Sequence, residues 1–286
     1  QSPNNLDTAI ALFSHFPWTG EMLFNGRLYH SMNLPWFYLP LLTVLQMPEL
    51  VLGGFLLAVV FGVRSLARKA HPFNDKDVLC YSVLVMAVLV PLLDFLVARP
   101  AIYNGIRHFL FMIPPLVVLS ALSLERTYAF FAVRGPWLAR SFAATVALLA
   151  ALQTTLMVRL HPDEYLYFNT LAGGVDGAAG RFDLDYWGLS LAEAARDLGS
   201  QVRRMTPKAN GQPWWIYVCG DWLSAAYFFP PQAHMRYTGA QSVADFSIAI
   251  QEPYCTEQIR GKRIVEVKRD GTVLSYATDL RGEPGH

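Results

Sequence analysis

The sequence predicts an α-helical integral-membrane region followed by a small α/β domain. Three observations predict this fold class. First, 53% of the 286 residues are hydrophobic and only 16% are charged, whereas soluble domains usually carry about 25% charge. Second, residues 48–160 alternate long apolar runs with short basic connections. Third, no apolar run after residue 160 is long enough to cross a bilayer.

Four apolar runs approach the roughly 20 residues that a spanning helix needs, and they cover residues 48–66, 78–98, 107–124 and 137–158. Most Lys and Arg residues near these runs fall after the first and the third run: Arg64, Arg68, Lys69, Lys76, Arg126, Arg134 and Arg140. Basic loops stay in the cytoplasm. The remaining loops and the C-terminal domain are therefore predicted on the outer, periplasmic side.

Three regions follow from this topology. Residues 1–47 are predicted to form an outer-face loop, with an amphipathic pattern from Asp7 and an interfacial or re-entrant helix over residues 34–47. That apolar run is too short to cross and contains two prolines. Residues 48–160 are predicted to form a four-helix transmembrane region, and residues 161–286 a periplasmic α/β domain.

Within the C-terminal domain, residues 189–205 show helical periodicity, and residues 214–219 and 244–251 resemble strands. A short helix is predicted over residues 222–229. Alternating apolar residues flank Asp270-Gly271, which predicts a hairpin over residues 264–277. The run Gly-Gly-Val-Asp-Gly-Ala-Ala-Gly at residues 173–180 lacks the Lys-Ser/Thr of a phosphate-binding loop and is interpreted as a tight linker.

Two groups near the outer ends of the apolar runs are candidates for binding. Arg107 and His108 stand beside Tyr103 where a helix enters the membrane, and an arginine there can hold a phosphate headgroup. The alternative is an ordinary arginine reaching toward lipid headgroups. Asp94 lies inside the second run, where a carboxylate faces a cavity or a partner unless it already lies in the headgroup zone.

A third candidate is the aromatic loop that contains His30, Trp36, Phe37 and Tyr38. Aromatic rings beside prolines suit sugars or lipid chains. The alternative is an interfacial belt that only anchors the protein.

The motif Phe-Asp-Leu-Asp-Tyr-Trp-Gly at residues 182–188 offers an Asp-x-Asp pair, Asp183 and Asp185, which could bind a divalent cation. The favoured interpretation is structural, with Asp185 ordering a turn and the whole segment docking the outer domain. The predicted docking residues are Asp183, Asp185, Tyr186 and Trp187.

Cys219 and Cys255 both lie in the outer domain and are candidates for a disulfide, with two free thiols as the alternative. The net charge of +1 argues against a nucleic-acid binder. The usual metalloprotease, hydrolase and dinucleotide-binding motifs are absent from the sequence.

Three stretches carry a family resemblance: Leu-Pro-Trp-Phe-Tyr-Leu-Pro-Leu-Leu from residue 34, Tyr-Asn-Gly-Ile-Arg-His-Phe-Leu-Phe-Met-Ile-Pro-Pro-Leu from residue 103, and residues 161–190. In this order they resemble the C-terminal half of bacterial GT-C membrane glycosyltransferases. The relatives are the dolichyl-phosphate-mannose–protein mannosyltransferase-like proteins of glycosyltransferase family 39. The lipid A aminoarabinose transferase is a more distant relative.

This resemblance implies a polyprenyl-phosphate-linked sugar donor and transfer to an unidentified acceptor at the outer face of the bacterial inner membrane. It makes Arg107 a ligand of the lipid phosphate and Trp36 to Tyr38 a border of the donor site, although Phe37 stands where the family usually has Tyr. The family's catalytic acidic residue lies in an earlier outer loop. We therefore expect no catalytic residue here and no activity from this chain alone. The alternative function is a noncatalytic membrane-anchored module that binds a glycan or a partner.

Overall fold

The computed structural model describes Thr8, residues 20–67 and residues 75–282. The chain divides into two compact units, one of residues 1–158 and 167–174 and one of residues 159–166 and 175–286. The boundary is therefore not a single cut at residue 160, because residues 167–174 return to the first unit. Most of the amphipathic pattern predicted from Asp7 lies outside the described residues, as do Arg68 and Lys69 of the first basic loop.

The first unit opens with a hairpin that the sequence analysis did not predict. Strand β1 (Glu21–Phe24) pairs antiparallel with β2 (Arg27–His30). The turn residues Asn25 and Gly26 both have positive φ, 50° and 77°, which is the geometry of a two-residue hairpin turn. Met22, Leu23 and Phe24 of β1 are all buried, so side chains on both faces of this strand are covered within the first unit.

Five helices follow in this unit: α1 (Tyr38–Leu45), α2 (Glu49–Ala67), α3 (Asp75–Ala98), α4 (Ile113–Ala132) and α5 (Pro136–Leu160). A 3-10 turn over Arg107–Met112 leads into α4. Among the described residues, three helical stretches are long and apolar enough to cross a membrane: Val78–Ala98, Arg107–Ala132 and Pro136–Leu160. Three of the four predicted apolar helices are thus confirmed on length and composition.

The fourth predicted span, residues 48–66, corresponds to α2, which qualifies only if α1 and α2 count together as one broken span. The two helices are bent by 118° across the short break between Leu45 and Glu49. Pro48 lies in that break and has no N–H to continue α1. A short helix, α1, is therefore observed within the predicted residues 34–47 and leads into α2. Its interfacial or re-entrant position in a membrane stays a prediction.

Close packing of α2 on α4 depends on small residues. A Cβ atom on Gly54 would lie 2.7 Å from the Cβ atom of Ser120, too close for any side chain. The Ser120 hydroxyl donates to the carbonyl oxygen of Val51 at 2.7 Å. Small residues and interhelical hydroxyl bonds of this kind are typical of helix pairs in membranes.

The second unit is a mixed sheet with helices. It contains the helices α6 (Gly174–Ala178), α7 (Ser190–Val202), α8 (Trp222–Ala226) and α9 (Pro253–Thr256), with α6 beginning at the unit boundary. Its strands are β3 (Trp214–Cys219), β4 (Met235–Thr238), β5 (Phe246–Ile250), β6 (Lys262–Arg269) and β7 (Thr272–Asp279). The sheet order is β4-β3-β5-β7-β6, with β3 parallel to β4 and β5, and β7 antiparallel to β5 and β6.

The predicted elements of this domain are confirmed for α7, α8, β3, β5 and the β6–β7 hairpin. The apolar stripe of α7 is buried on the sheet, as the 3.6-residue period indicated: Leu191, Ala194, Ala195, Leu198 and Val202. Three of the described elements differ from the predictions. Strand β4 and the short helix α9 were not predicted, and part of the predicted glycine-rich linker forms the short helix α6.

A buried ion-pair network fastens the first residues of this unit to the β6–β7 hairpin. Arg269 pairs with Asp163 (Nε to Oδ2, 2.8 Å) and with Glu193 (2.6 Å). Burial raises the pKa of the Asp163 carboxyl, and the charge of Arg269 opposes that shift. The neighbouring pair Arg159–Asp270 is more exposed. Breaking the buried Asp163–Arg269 pair should therefore destabilise this unit more than breaking the exposed pair.

Candidate functional site

Three predicted site residues form one contact cluster before α4. The Arg107 guanidinium carbon lies 4.3 Å from the centre of the Tyr103 ring. Arg107 Nε donates to His108 Nε2 at 3.3 Å. The rings of Tyr103 and His108 meet edge to face at 4.8 Å. The structure therefore brings together the three side chains that the sequence analysis grouped as a candidate binding site, with Arg107 as the predicted phosphate ligand.

Local backbone geometry explains why these residues meet. Asn104 and Gly105 have φ values of 58° and 72°, which turn the chain between Tyr103 and Arg107. Phe109 is buried and its ring contacts that of Phe95 near the end of α3, at 6.2 Å. The cluster is thus fixed to the ends of two long helices.

The chemistry of the cluster suits an anion. Arg107 begins the 3-10 turn that continues into α4, and the first N–H groups of a helix have no intrahelical acceptor. A guanidinium has five N–H donors in a planar fork, which matches the oxygen atoms of a phosphate. Stacking on Tyr103 orients that plane, which reduces the conformational entropy lost when an anion binds.

Asp94 does not join this cluster through an ion pair. Its side chain is exposed on α3, and within the described part of the chain it forms no ion pair with Arg99 or Arg107. Its predicted role in a donor or acceptor pocket stays a prediction.

The aromatic loop places its residues at different depths. Trp36 is 61% exposed and Phe37 is half-buried, whereas Tyr38 is only 2% exposed. The Tyr38 ring lies 4.8 Å from that of Phe24, and its hydroxyl contacts Met22 Sδ at 3.8 Å. Tyr38 therefore anchors α1 against the hairpin, while Trp36 and Phe37 form the accessible part of the loop.

His30, the remaining residue of that group, ends strand β2 and is half-buried. It pairs in register with Glu21 of β1. The hairpin thus fixes its backbone position directly before the 3-10 turn Ser31–Asn33, which leads to the aromatic loop.

A buried asparagine, Asn169, holds the bend between α1 and α2, and the sequence analysis did not single it out. The side chain is 1% exposed. Its Nδ2 donates to the carbonyl oxygens of Val44 at 2.6 Å and Met47 at 2.8 Å. Its backbone N–H donates to Leu45. These bonds satisfy carbonyls at the end of α1, so the segment after α5 supports the helix that follows the aromatic loop.

The segment around Asn169 also contacts the start of α2. The Glu49 carboxylate accepts a hydrogen bond from the backbone N–H of Thr170 at 2.7 Å. The Tyr167 hydroxyl lies 3.1 Å from Gln153 Oε1 on α5 and 3.5 Å from Glu49. Burial raises the pKa of Tyr167 to about 12, so this hydroxyl remains protonated as a donor.

Asp185 has the turn-ordering role that the sequence analysis favoured. It is buried and accepts hydrogen bonds from the hydroxyls of Tyr165 and Ser190. It also accepts from the backbone N–H groups of Leu189 at 3.0 Å and Ser190 at 3.2 Å, at the start of α7. Burial raises the pKa of its carboxyl despite these donors.

The other residues of that motif lie nearby. Asp183 is half-buried and Trp187 is 51% exposed. The Tyr186 ring contacts those of Tyr165 and Trp187, at 5.3 and 5.9 Å. The docking role of Asp183, Asp185, Tyr186 and Trp187 stays a prediction. Among the described residues, no group of three or more His, Cys, Asp or Glu side chains is arranged to hold a metal ion.

Cys219 and Cys255 form a disulfide with a Cα–Cα distance of 5.7 Å. The bond links the end of β3 to α9. Of the two alternatives that the sequence allowed, the structure contains the cross-linked one.

Comparison with known proteins adds no relative. No protein-family model, curated protein or solved structure matches the chain. Support for a function therefore comes from the residues, their geometry and the sequence resemblance.

Proposed function

We propose that this chain is the C-terminal part of a membrane glycosyltransferase that uses a polyprenyl-phosphate-linked sugar. The observation that supports it best is the cluster of Tyr103, Arg107 and His108 before α4. A stacked guanidinium at the start of an apolar helix suits a phosphate whose lipid tail lies in the bilayer.

In this proposal the protein is multi-pass in the bacterial inner membrane. The basic residues Arg126, Arg134 and Arg140 then face the cytoplasm. The Tyr103–His108 cluster, the aromatic loop and the C-terminal unit lie on the periplasmic side. The disulfide is consistent with that side, since disulfides persist in oxidising compartments.

The proposed chemistry is displacement at the anomeric carbon of the donor sugar by an acceptor hydroxyl. The hydroxyl oxygen forms a bond to that carbon and releases its proton to a base, while the bond from the carbon to the phosphate oxygen breaks and the departing phosphate gains negative charge. Arg107 would stabilise this charge, while Trp36 and Phe37 would contact the sugar or the first isoprene units. The proposal assigns no catalytic base, acceptor or sugar.

Binding of decaprenyl phosphate to the purified chain in detergent tests this proposal. Removing one charge-assisted, bidentate contact costs about 1.5–3 kcal/mol, so Arg107→Ala should weaken binding about 10- to 100-fold. Arg107→Lys should give an intermediate loss, because it keeps the charge without the fork. Arg99→Ala is the matched control in the same loop. Equal affinities for the wild type and Arg107→Ala would refute the role of Arg107.

One observation favours the second candidate, a noncatalytic glycan-binding module. Trp222 and Tyr237 stack at 4.6 Å with an interplanar angle of 19° in the C-terminal unit, and Trp222 remains exposed. Such a face can pack against a sugar ring. Glycan binding that is lost in Trp222→Ala, together with no binding of decaprenyl phosphate, would favour this candidate over the transferase.

A further inference from the structure

The second unit contains a cavity of about 400 Å³ that none of the predicted functions uses. Its size falls within the range of small-molecule sites. Its wall combines charged and apolar side chains from several elements, including Asp176, Phe182, Leu184, Asp185, Glu252 and Arg263. A pocket that offers both kinds of surface suits a ligand with one polar group on a short carbon chain.

Glu252 is the unusual group in this wall. It is only 8% exposed, yet its single hydrogen bond within the described part of the chain is from the backbone N–H of Leu184 to Oε1, at 3.3 Å. A carboxylate can accept about four hydrogen bonds. Oε2 therefore has acceptor capacity that the described residues leave unused, and Glu252 borders the cavity.

Asp185 provides the contrast within the same wall. Its two oxygens already accept from two hydroxyls and two backbone N–H groups. Asp185 is therefore explained by the turn before α7, whereas Glu252 is not explained by any such turn. Glu252 Oε2 is not one of the fully buried atoms without a partner, so it is reachable from the cavity that Glu252 lines, where a bound molecule can donate to it.

The charges around Glu252 determine what that molecule can be. The cavity wall carries the carboxyls of Asp176, Asp185 and Glu252 against one cation, Arg263. Arg263 lies 3.9 Å from the centre of the Tyr276 ring and 3.6 Å from Glu266. Part of its charge is thus compensated by Glu266, and the cavity favours a positively charged ligand.

An organic cation fits better than a metal ion. Within the described residues no group of three or more acidic, histidine or cysteine side chains is placed for a metal. An ammonium group needs only one carboxylate and donates up to three hydrogen bonds. The side chains of Phe182 and Leu184 offer apolar contact to its carbon chain.

We propose that this cavity binds a small organic ammonium ion, with the Glu252 carboxylate as its direct partner. The ammonium group donates to Oε2 of Glu252, while Oε1 keeps its bond from Leu184. This site is independent of the polyprenyl-phosphate proposal, because it uses no residue of the Tyr103–His108 cluster.

Ionisation of Glu252 couples binding to pH. Burial, with further contributions from Asp183 and Asp185, raises the pKa of Glu252 to about 8. The neighbouring Tyr254 has its pKa raised to about 12 and stays neutral below that pH. The free cavity is therefore largely protonated at Glu252 at pH 7, and binding of an ammonium ion releases that proton.

The test compares two probes that differ in one group, 5-aminopentanol and 1,5-pentanediol, binding to the full chain in detergent. The amine should bind and the diol should not. If only ionised Glu252 binds, the association constant for the amine rises about tenfold between pH 7 and pH 9. Over this range the amine itself stays charged.

Glu252→Gln keeps the shape and the acceptor for Leu184 but removes the charge. This variant should lower the association constant for 5-aminopentanol at least tenfold at pH 9, and that constant should no longer depend on pH. Glu257→Gln is the matched control, an exposed glutamate directly after α9. Equal binding of the amine and the diol to the wild type, or an affinity of the wild type for the amine that does not change with pH, would overturn the proposal. Both results are measured on the wild type, so they hold even if the variant fails to fold.

Discussion

Replacing Asn169 by Asp would test whether the bend between α1 and α2 is held by the side-chain amide. The two residues have nearly the same shape, but a carboxylate has no N–H to donate. In the native chain Asn169 Nδ2 donates to the carbonyl oxygens of Val44 and Met47, at 2.6 and 2.8 Å. In Asn169→Asp two lone pairs would face those carbonyls.

The magnitude follows from the bonds lost. Each buried hydrogen bond contributes about 0.5–1.5 kcal/mol net, and an acceptor left unsatisfied costs about 1–3 kcal/mol. Losing both amide bonds leaves the carbonyls of Val44 and Met47 without this donor, which should destabilise the protein by about 3 kcal/mol. For a chain of this size, 1 kcal/mol shifts Tm by about 2–4 °C. The expected decrease is therefore about 6–12 °C.

Thermal unfolding in detergent, followed by near-ultraviolet circular dichroism, measures this shift. Asn33→Asp makes the same chemical change at an exposed position in the 3-10 turn after β2 and should leave Tm nearly unchanged. A Tm for Asn169→Asp within about 1 °C of the wild type would show that the amide does not hold the bend.

Three further predictions concern the second unit. The pKa of Glu252 is raised to about 8 from an ordinary 4.5. Its contribution to the free energy of unfolding is therefore complete below pH 4.5 and is lost as pH rises to 8. Glu252→Gln should remove this loss of up to about 5 kcal/mol, measured by unfolding at pH 5 and pH 9. Mass spectrometry without reductant should show Cys219 linked to Cys255, and reduction should cost about 3–4 kcal/mol for a separation of 36 residues; free thiols would contradict this. Arg269→Ala leaves Asp163 buried without its cation and should lower the free energy of unfolding by about 3–5 kcal/mol. The exposed control Arg236→Ala should lower it by less than about 0.5 kcal/mol. Equal decreases in the two variants would refute the stabilising role of the ion-pair network.

The sequence predicted elements whose signals are local. The β6–β7 hairpin combines alternating apolar residues with Asp270-Gly271, and α7 has a complete apolar stripe. The β1–β2 hairpin carried a comparable signal in Asn25-Gly26, but aromatic residues around it favoured an interfacial loop. Strand β4 has four residues and pairs with β3 at one edge of the described sheet. Four residues are too few for a periodic pattern.

The residues that sequence reasoning missed depend on distant contacts. Asn169 is significant because it reaches carbonyls more than 120 positions earlier in the chain. Glu252 accepts a hydrogen bond from Leu184, which lies 68 positions earlier in the chain. The carboxyls of Asp183 and Asp185 in that same earlier segment contribute to its raised pKa. By contrast, Tyr103, Arg107 and His108 lie within six positions, so the sequence could propose their association.

The central claim is that a polyprenyl phosphate binds at the start of α4, and photo-crosslinking tests it most directly. A decaprenyl phosphate with a diazirine in its first isoprene unit would be irradiated with the chain in lipid nanodiscs. Peptide mass spectrometry would then locate the adducts. The proposal predicts adducts within residues 103–111 or at Trp36 and Phe37, reduced in Arg107→Ala. Adducts found only elsewhere, or unchanged in Arg107→Ala, would contradict it.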